Sequence, residues 1–158
     1  MSRMDTKQSP IDLSEAHKSD VRTQFGALCF RIVRGKVEIL LITSRASKRW
    51  IIPKGWPMDG KTPSESAQIE AWEEAGVHGK MYNRCLGLYS YRKDIGPAQG
   101  VPCVAMVYAL KVKRMEHDFP EAKQRKRKWL RPKKAAALVD DPELAQMIRA
   151  FDPQVLKK

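Results

Sequence analysis

Apolar positions in this chain fall into separated runs whose spacing changes with position. From Gln24 the run QFGALCFRIV is continuously apolar and β-like. After the turn signal Arg34-Gly35-Lys36 a second run, VEILLITS, follows, and the pair predicts a hairpin of core strands. Ser44 to Arg49 is polar and predicts a loop, and Trp50-Ile51-Ile52 a short strand. A helix is expected from Thr62 to Gly76. Two further β segments are expected over Lys80–Arg92 and Val101–Arg114, joined by the Gly/Pro-rich connection KDIGPAQG, which reads as a plain hairpin connection or as the border of a substrate cleft. Residues 115–122 read as irregular, Gln124–Leu130 as a strand, Lys133–Val139 as a helix after Arg131-Pro132, and Asp141-Pro142 as the start of a last helix reaching about Phe151. Residues 1–20 are polar and aperiodic, which predicts a flexible N-terminal tail before one domain over 21–158. Strands before a helix, then strands, then helices fit an α+β architecture better than alternating βαβ units.

The helix over Thr62–Gly76 announces both of its ends. Thr62 suits the N-cap, Pro63 the first turn, and Glu65 completes a T-x-x-E capping box. Gly76 stands where the chain must turn left-handed. Between them Glu70, Glu73 and Glu74 occupy i, i+3 and i+4, so three like charges crowd one face and call for a cation. One reading is a solvated acidic face. The other is a set of hard oxygen ligands for Mg²⁺, or Mn²⁺, with Gly55 allowing the backbone to come close to the bound ion.

The segment Trp50–Val77, WIIPKGWPMDGKTPSESAQIEAWEEAGV, resembles the Nudix box: a glycine, five residues, a glutamate, seven residues, then Arg-Glu-apolar-x-Glu-Glu-x-Gly-apolar. Gly55, Glu70, Glu73, Glu74, Gly76 and Val77 fall on its positions. Two positions depart, with Lys61 in place of the first glutamate and Ile69 in place of the arginine. The resemblance implies an α/β/α sandwich with a mixed sheet between helices. It implies that Glu70, Glu73 and Glu74 bind divalent ions, with the Gly55 carbonyl, and that Glu73 or Glu74 acts as catalytic base in cleaving a diphosphate.

Charge adds a partner class. Thirty Lys and Arg against eighteen Asp and Glu leave +12, which favours a polyanionic partner. Lys123–Lys134, KQRKRKWLRPKK, holds eight basic residues and no acid; in a strand Arg125, Arg127 and Trp129 share one face and Lys126, Lys128 and Leu130 the other. Such a run reads as a solubilising surface, a nucleic-acid contact or a phosphate clamp. The absence of spaced aromatics or a recognition motif argues against nucleic acid. Together with the LCF run at Leu28–Phe30 and ILLITSRASKRWIIP, the RKRKWL segment is similar to the diphosphoinositol polyphosphate phosphohydrolases within that family. That similarity implies a polyphosphorylated small-molecule substrate, with Arg22, Ser44, Arg45, Arg92 and Arg125 or Arg127 lining its pocket. Lys54-Gly55-Trp56 stands where the subgroup carries three glycines, so Lys54 and Trp56 are further candidates at the entrance. The rival readings are a hydrolase of dinucleoside polyphosphates or capped RNA, with Trp56, Tyr89 and Tyr91 stacking on a base, and a noncatalytic polyanion-binding module. Cys29, Cys85 and Cys103 lack metal spacing and read as reduced core thiols. With no run long enough to span a membrane, a cytoplasmic location is expected.

Overall fold

A computed structural model describes residues 22–157, so the expected tail over 1–20 lies outside the described residues. Seven strands form one mixed sheet: β1 Thr23–Val33, β2 Lys36–Thr43, β3 Trp50–Ile51, β4 Lys54–Gly55, β5 Val77–Ile95, β6 Ala98–Met115 and β7 Arg127–Leu130. Helix α1 spans Pro63–Ala75, α2 Pro132–Leu138 and α3 Pro142–Ala150, and a short 3-10 turn over Pro153–Lys157 ends the described chain.

The β1–β2 hairpin forms as its pattern predicts. Arg34 and Gly35 both take positive φ, 52° and 78°, which matches the turn to the twist of the strands it joins. Strand order is β3-β2-β1-β6-β5, with β4 pairing on β1 and β7 on β2. The one parallel pairing joins β1 to β6, from Thr23 opposite Val104 to Phe30 opposite Lys111.

Helices cover both faces of the sheet, so β1 buries residues of either parity. Phe25, Ala27 and Cys29 pack with Tyr108 and Leu110 against Ala67, Ala71 and Ala75 of α1. These alanines recur every fourth residue, and their small side chains let the helix lie close on the sheet. On the opposite face Leu28 and Phe30 pack with Tyr89 and Val107 against Leu144 and Ile148 of α3.

Two expectations are corrected, and one strand is new. The connection KDIGPAQG is a plain hairpin and shorter than the strand bounds predict: β5 runs to Ile95 and β6 begins at Ala98, leaving a tight turn at Gly96-Pro97. The hairpin closes because the Asp94 carboxylate accepts the Gly100 N–H at 3.0 Å, while Arg92 donates to the Gly100 carbonyl at 2.7 Å. Strand β7 begins at Arg127 rather than Gln124, because Ala122 and Gln124 donate to the Phe119 and Glu121 carbonyls in turns. The two-residue strand β4 carries no sequence marker; it forms because Phe25 and Gly26 of β1 offer it an edge. The three cysteines are free, with Cys29 and Cys103 buried and Cys85 half-buried. Burial pushes the Cys29 thiol up to about 12, so it stays protonated and inert.

Candidate functional site

Helix α1 sets the carboxylates. The Thr62 hydroxyl accepts the Glu65 N–H at 3.2 Å and the Glu65 carboxylate accepts the Thr62 N–H at 2.9 Å, so the capping box is complete. Gly76 closes the other end at φ 66°, its N–H donating to the Trp72 carbonyl. Glu70 and Glu74 then lie one turn apart against strand β4. A Cβ placed on Gly55 would collide with the Glu70 carboxylate, so the absent side chain is what admits it. Glu74 is 7 % exposed and accepts the Lys54 backbone N–H at 3.3 Å.

Burial, a hydrogen bond to Glu74 and the nearby charges of Glu74, Glu73 and Glu121 push the Glu70 carboxyl from its ordinary 4.5 up to about 8. Burial also raises Glu74, against the pull of Arg125. Glu74 is buried and Glu70 half-buried, and a hard divalent cation would relieve the repulsion between two carboxylates so placed; Mg²⁺ commonly binds through one or two carboxylates plus waters and substrate phosphates. Two adjoining carboxylates packed against the side-chain-free Gly55 suit that ion. Among the described residues no group of three or more His, Cys, Asp or Glu side chains is arranged to hold a metal ion by itself. A folded-state pKa above the unfolded one means stability is present at low pH and lost as pH rises from 4.5 through about 8. In chelator the melting temperature therefore falls over that interval, Glu70→Gln flattens the fall, and Mg²⁺ reverses it; scanning calorimetry across pH checks all three.

The segment after β6 folds back over the end of α1. Glu116 N–H donates to the Gly76 carbonyl at 2.8 Å, Glu121 N–H to the Glu73 carbonyl at 3.0 Å, and Arg127 Nη1 to the Ala75 carbonyl at 3.0 Å. Arg127 also lies over the Phe119 ring, 4.8 Å from its centroid. Arg125, two residues before β7, reaches Glu121 at 2.8 Å and Glu74 at 3.6 Å. Both arginines expected at the substrate thus spend hydrogen bonds on α1 and its covering segment.

The other candidates are dispersed. Arg22 is exposed at the start of β1, and its carbonyl accepts the Val104 N–H. Ser44 organises its own loop, with its hydroxyl 2.7 Å from that of Ser47 and accepting the Arg49 N–H at 2.9 Å. Arg45 is exposed and stands 3.9 Å from Glu121. Arg92 is committed to the β5–β6 hairpin. The half-buried Lys54 side chain leaves Gly55's face of β4 for the opposite one, its ammonium 4.9 Å from the Tyr91 ring centroid; burial lowers its pKa to about 8. Trp56 is half-buried in the segment between β4 and α1. Tyr89 is sealed in the core, and the Tyr91 hydroxyl donates to the Gln24 side-chain oxygen.

A cavity of about 350 Å³ opens beside this site, lined by Thr43, Lys48, Trp50, Lys123, Gln124, Arg125 and Lys126. Arg125 is common to the cavity and the carboxylates. The basic run signalled Lys123 and Lys126; nothing local marks Lys48, Trp50 or Glu121. No helix among the described residues is long and apolar enough to cross a membrane.

Residues 22–151 match the NUDIX domain family. The chain is 36% identical over 106 residues to Nudix hydrolase 12, mitochondrial, of Arabidopsis thaliana, covering 65% of this chain and 52% of that protein. It is 35% identical over 106 residues to human (Homo sapiens) diphosphoinositol polyphosphate phosphohydrolase 3-alpha, covering 66% of this chain and 60% of that one. The match thus spans between half and two thirds of these relatives' length. A crystal structure of C. elegans Ap4A hydrolase shares the fold, with a TM-score of 0.66 and 22% sequence identity over 85% of this chain and 98% of that chain. With its mixed sheet between helices, its glutamate-bearing helix against Gly55 and a family match over most of its length, the chain belongs to the Nudix family.

Proposed function

We propose that this chain is a divalent-metal-dependent hydrolase of a phosphoanhydride bond in a polyphosphorylated small molecule, with a diphosphoinositol polyphosphate as the favoured substrate. The observation that carries the reading is the junction of the buried Glu74 carboxylate, one turn from Glu70, with a lysine-lined cavity through one arginine, Arg125. The sequence likeness to the human diphosphoinositol enzyme supports the same substrate class.

Glu70 and Glu74, with the Gly55 carbonyl, are the residues that would hold the ion. When bound, a divalent cation there neutralises phosphate charge and acidifies water. Glu73, half-buried on the same helix, would accept the proton of the attacking water as it adds to phosphorus and the anhydride oxygen departs. Lys48, Lys123 and Lys126 hold the remaining phosphates as compact charges, with Arg45 beside them. Arg22 and Arg92, exposed farther out, steer the polyanion inward. The three free thiols favour a reducing compartment such as the cytoplasm.

Phosphate release is the test, measured on a diphosphoinositol polyphosphate, a diadenosine polyphosphate and a nucleoside triphosphate with Mg²⁺, Mn²⁺ or chelator. Release is expected only with metal and fastest from the inositol substrate, and the double change Lys123→Ala, Lys126→Ala should raise KM several-fold. Preference for the diadenosine substrate would favour the second reading, which the Trp50 ring in the cavity wall supports. Binding of all three polyanions in chelator with no release from any would overturn the hydrolase reading.

A further inference from the structure

Arg125 is unusual among the cations of this basic chain. Its side chain is 7% exposed, and its nitrogens are engaged within the protein. Nε donates to the Glu121 carboxylate at 2.9 Å, Nη1 to the Thr43 carbonyl at 2.9 Å, and Nη2 lies 2.8 Å from Glu121 and 3.6 Å from Glu74. A guanidinium fixed at this many points is a rigid fork. Its direction is set by Thr43 on β2 and by Glu121, whose own N–H is tied to the Glu73 carbonyl.

Helix α1 has no basic residue in its last turn, and the box position expected to carry arginine is Ile69. Compensation for its carboxylates therefore has to come from another element, and Arg125 is the buried cation that reaches Glu74. Glu74 has a second fixed partner, the Lys54 N–H, on the side of β4. A backbone donor and an ion-pair partner from different elements define where a carboxylate points better than either alone.

We infer that Arg125, held in place by Glu121, is a positioning residue that orients the Glu74 carboxylate and takes over from outside the helix the cation that the box lacks at Ile69. The inference rests on the hydrolase reading for its kinetic consequence but not for its structural one. Glu121 bears a negative charge next to a site for polyanions, so simple electrostatics gives it a harmful effect on substrate binding. Positioning gives it a beneficial effect on turnover.

Two measurements test this. In chelator at neutral pH, urea unfolding of the wild type, Arg125→Met, Glu74→Gln and the double variant forms a thermodynamic cycle. Arg125→Met should raise the unfolding constant about tenfold more in the wild-type background than in Glu74→Gln. Equal effects in both backgrounds would make Arg125 a structural residue without coupling to Glu74 and overturn the inference. In the second measurement, Glu121→Gln should lower kcat several-fold with KM unchanged or reduced, and Arg125→Lys should recover only part of the coupling because it keeps the charge and loses the fork. Unchanged kcat in Glu121→Gln would also overturn it. If the wild type cleaves no substrate, the unfolding cycle alone decides the inference.

Discussion

Glutamine at position 73 or at position 74 leaves a folded protein whose turnover falls by about 10²- to 10⁴-fold, the range associated with a positioned acid–base group. The fold survives because neither carboxylate is needed for packing. Glu73 is half-buried, and its structural contribution is its backbone carbonyl, which still accepts the Glu121 N–H after the side chain is changed. A glutamine at 74 keeps an oxygen for the Lys54 N–H, and Arg125 retains Glu121. What disappears is negative charge where a divalent ion and a departing proton need it. Phosphate release measured beside far-UV circular dichroism and melting temperature separates chemistry from folding. Wild-type turnover in both variants would remove these residues from the mechanism.

Valine at position 76 has the largest expected effect on stability. Gly76 takes φ 66°, a left-handed conformation that costs an L-residue roughly 1–2 kcal/mol and a β-branched one more. The added side chain would also collide with the Phe119 ring, and forced overpacking costs about 1–3 kcal/mol. A loss of about 3 kcal/mol is expected from urea unfolding. The two causes separate: Phe119→Ala in the valine background relieves the clash but not the backbone cost, so it restores only part of the loss. Gly76→Asn should cost less than valine, because asparagine tolerates the left-handed region. Activity should fall with stability, since Phe119 lies in the segment that ties Glu121 to α1.

Legibility followed the range of the interaction. Helix α1 was readable at both ends because caps are made by residues three or four apart, and the β1–β2 hairpin was readable because its turn is local. The order of the sheet was not. The parallel pairing of Thr23–Phe30 with Val104–Lys111 leaves no mark in either segment, since any two buried strands satisfy the same apolar pattern. Glycine and proline in KDIGPAQG signalled a break without its size, and the side-chain bonds of Arg92 and Asp94 drew it into a tight turn. The period of the basic run placed Arg125 and Arg127 on one strand face, whereas Arg125 precedes the strand and only Arg127 lies in it. Their destination depended on what the fold set opposite, which was Glu74, Glu121 and the end of α1 rather than open space. Glu121 itself had no motif to announce it.

The parallel pairing of β1 with β6, and the return of residues 115–127 over α1, bear on how the site is made during synthesis. A nascent chain that has emerged as far as Gly100 contains every residue of the box and the whole of β1, but neither the strand that pairs beside β1 nor the segment that caps the helix. The carboxylates of such a fragment would lack Arg125 and the closing hydrogen bonds at Glu73, Ala75 and Gly76. The contiguous motif is therefore not a portable unit: transplanted alone into another scaffold it carries the glutamates without the packing that fixes them, and in the growing chain that packing is complete only once residues through Arg127 have been made.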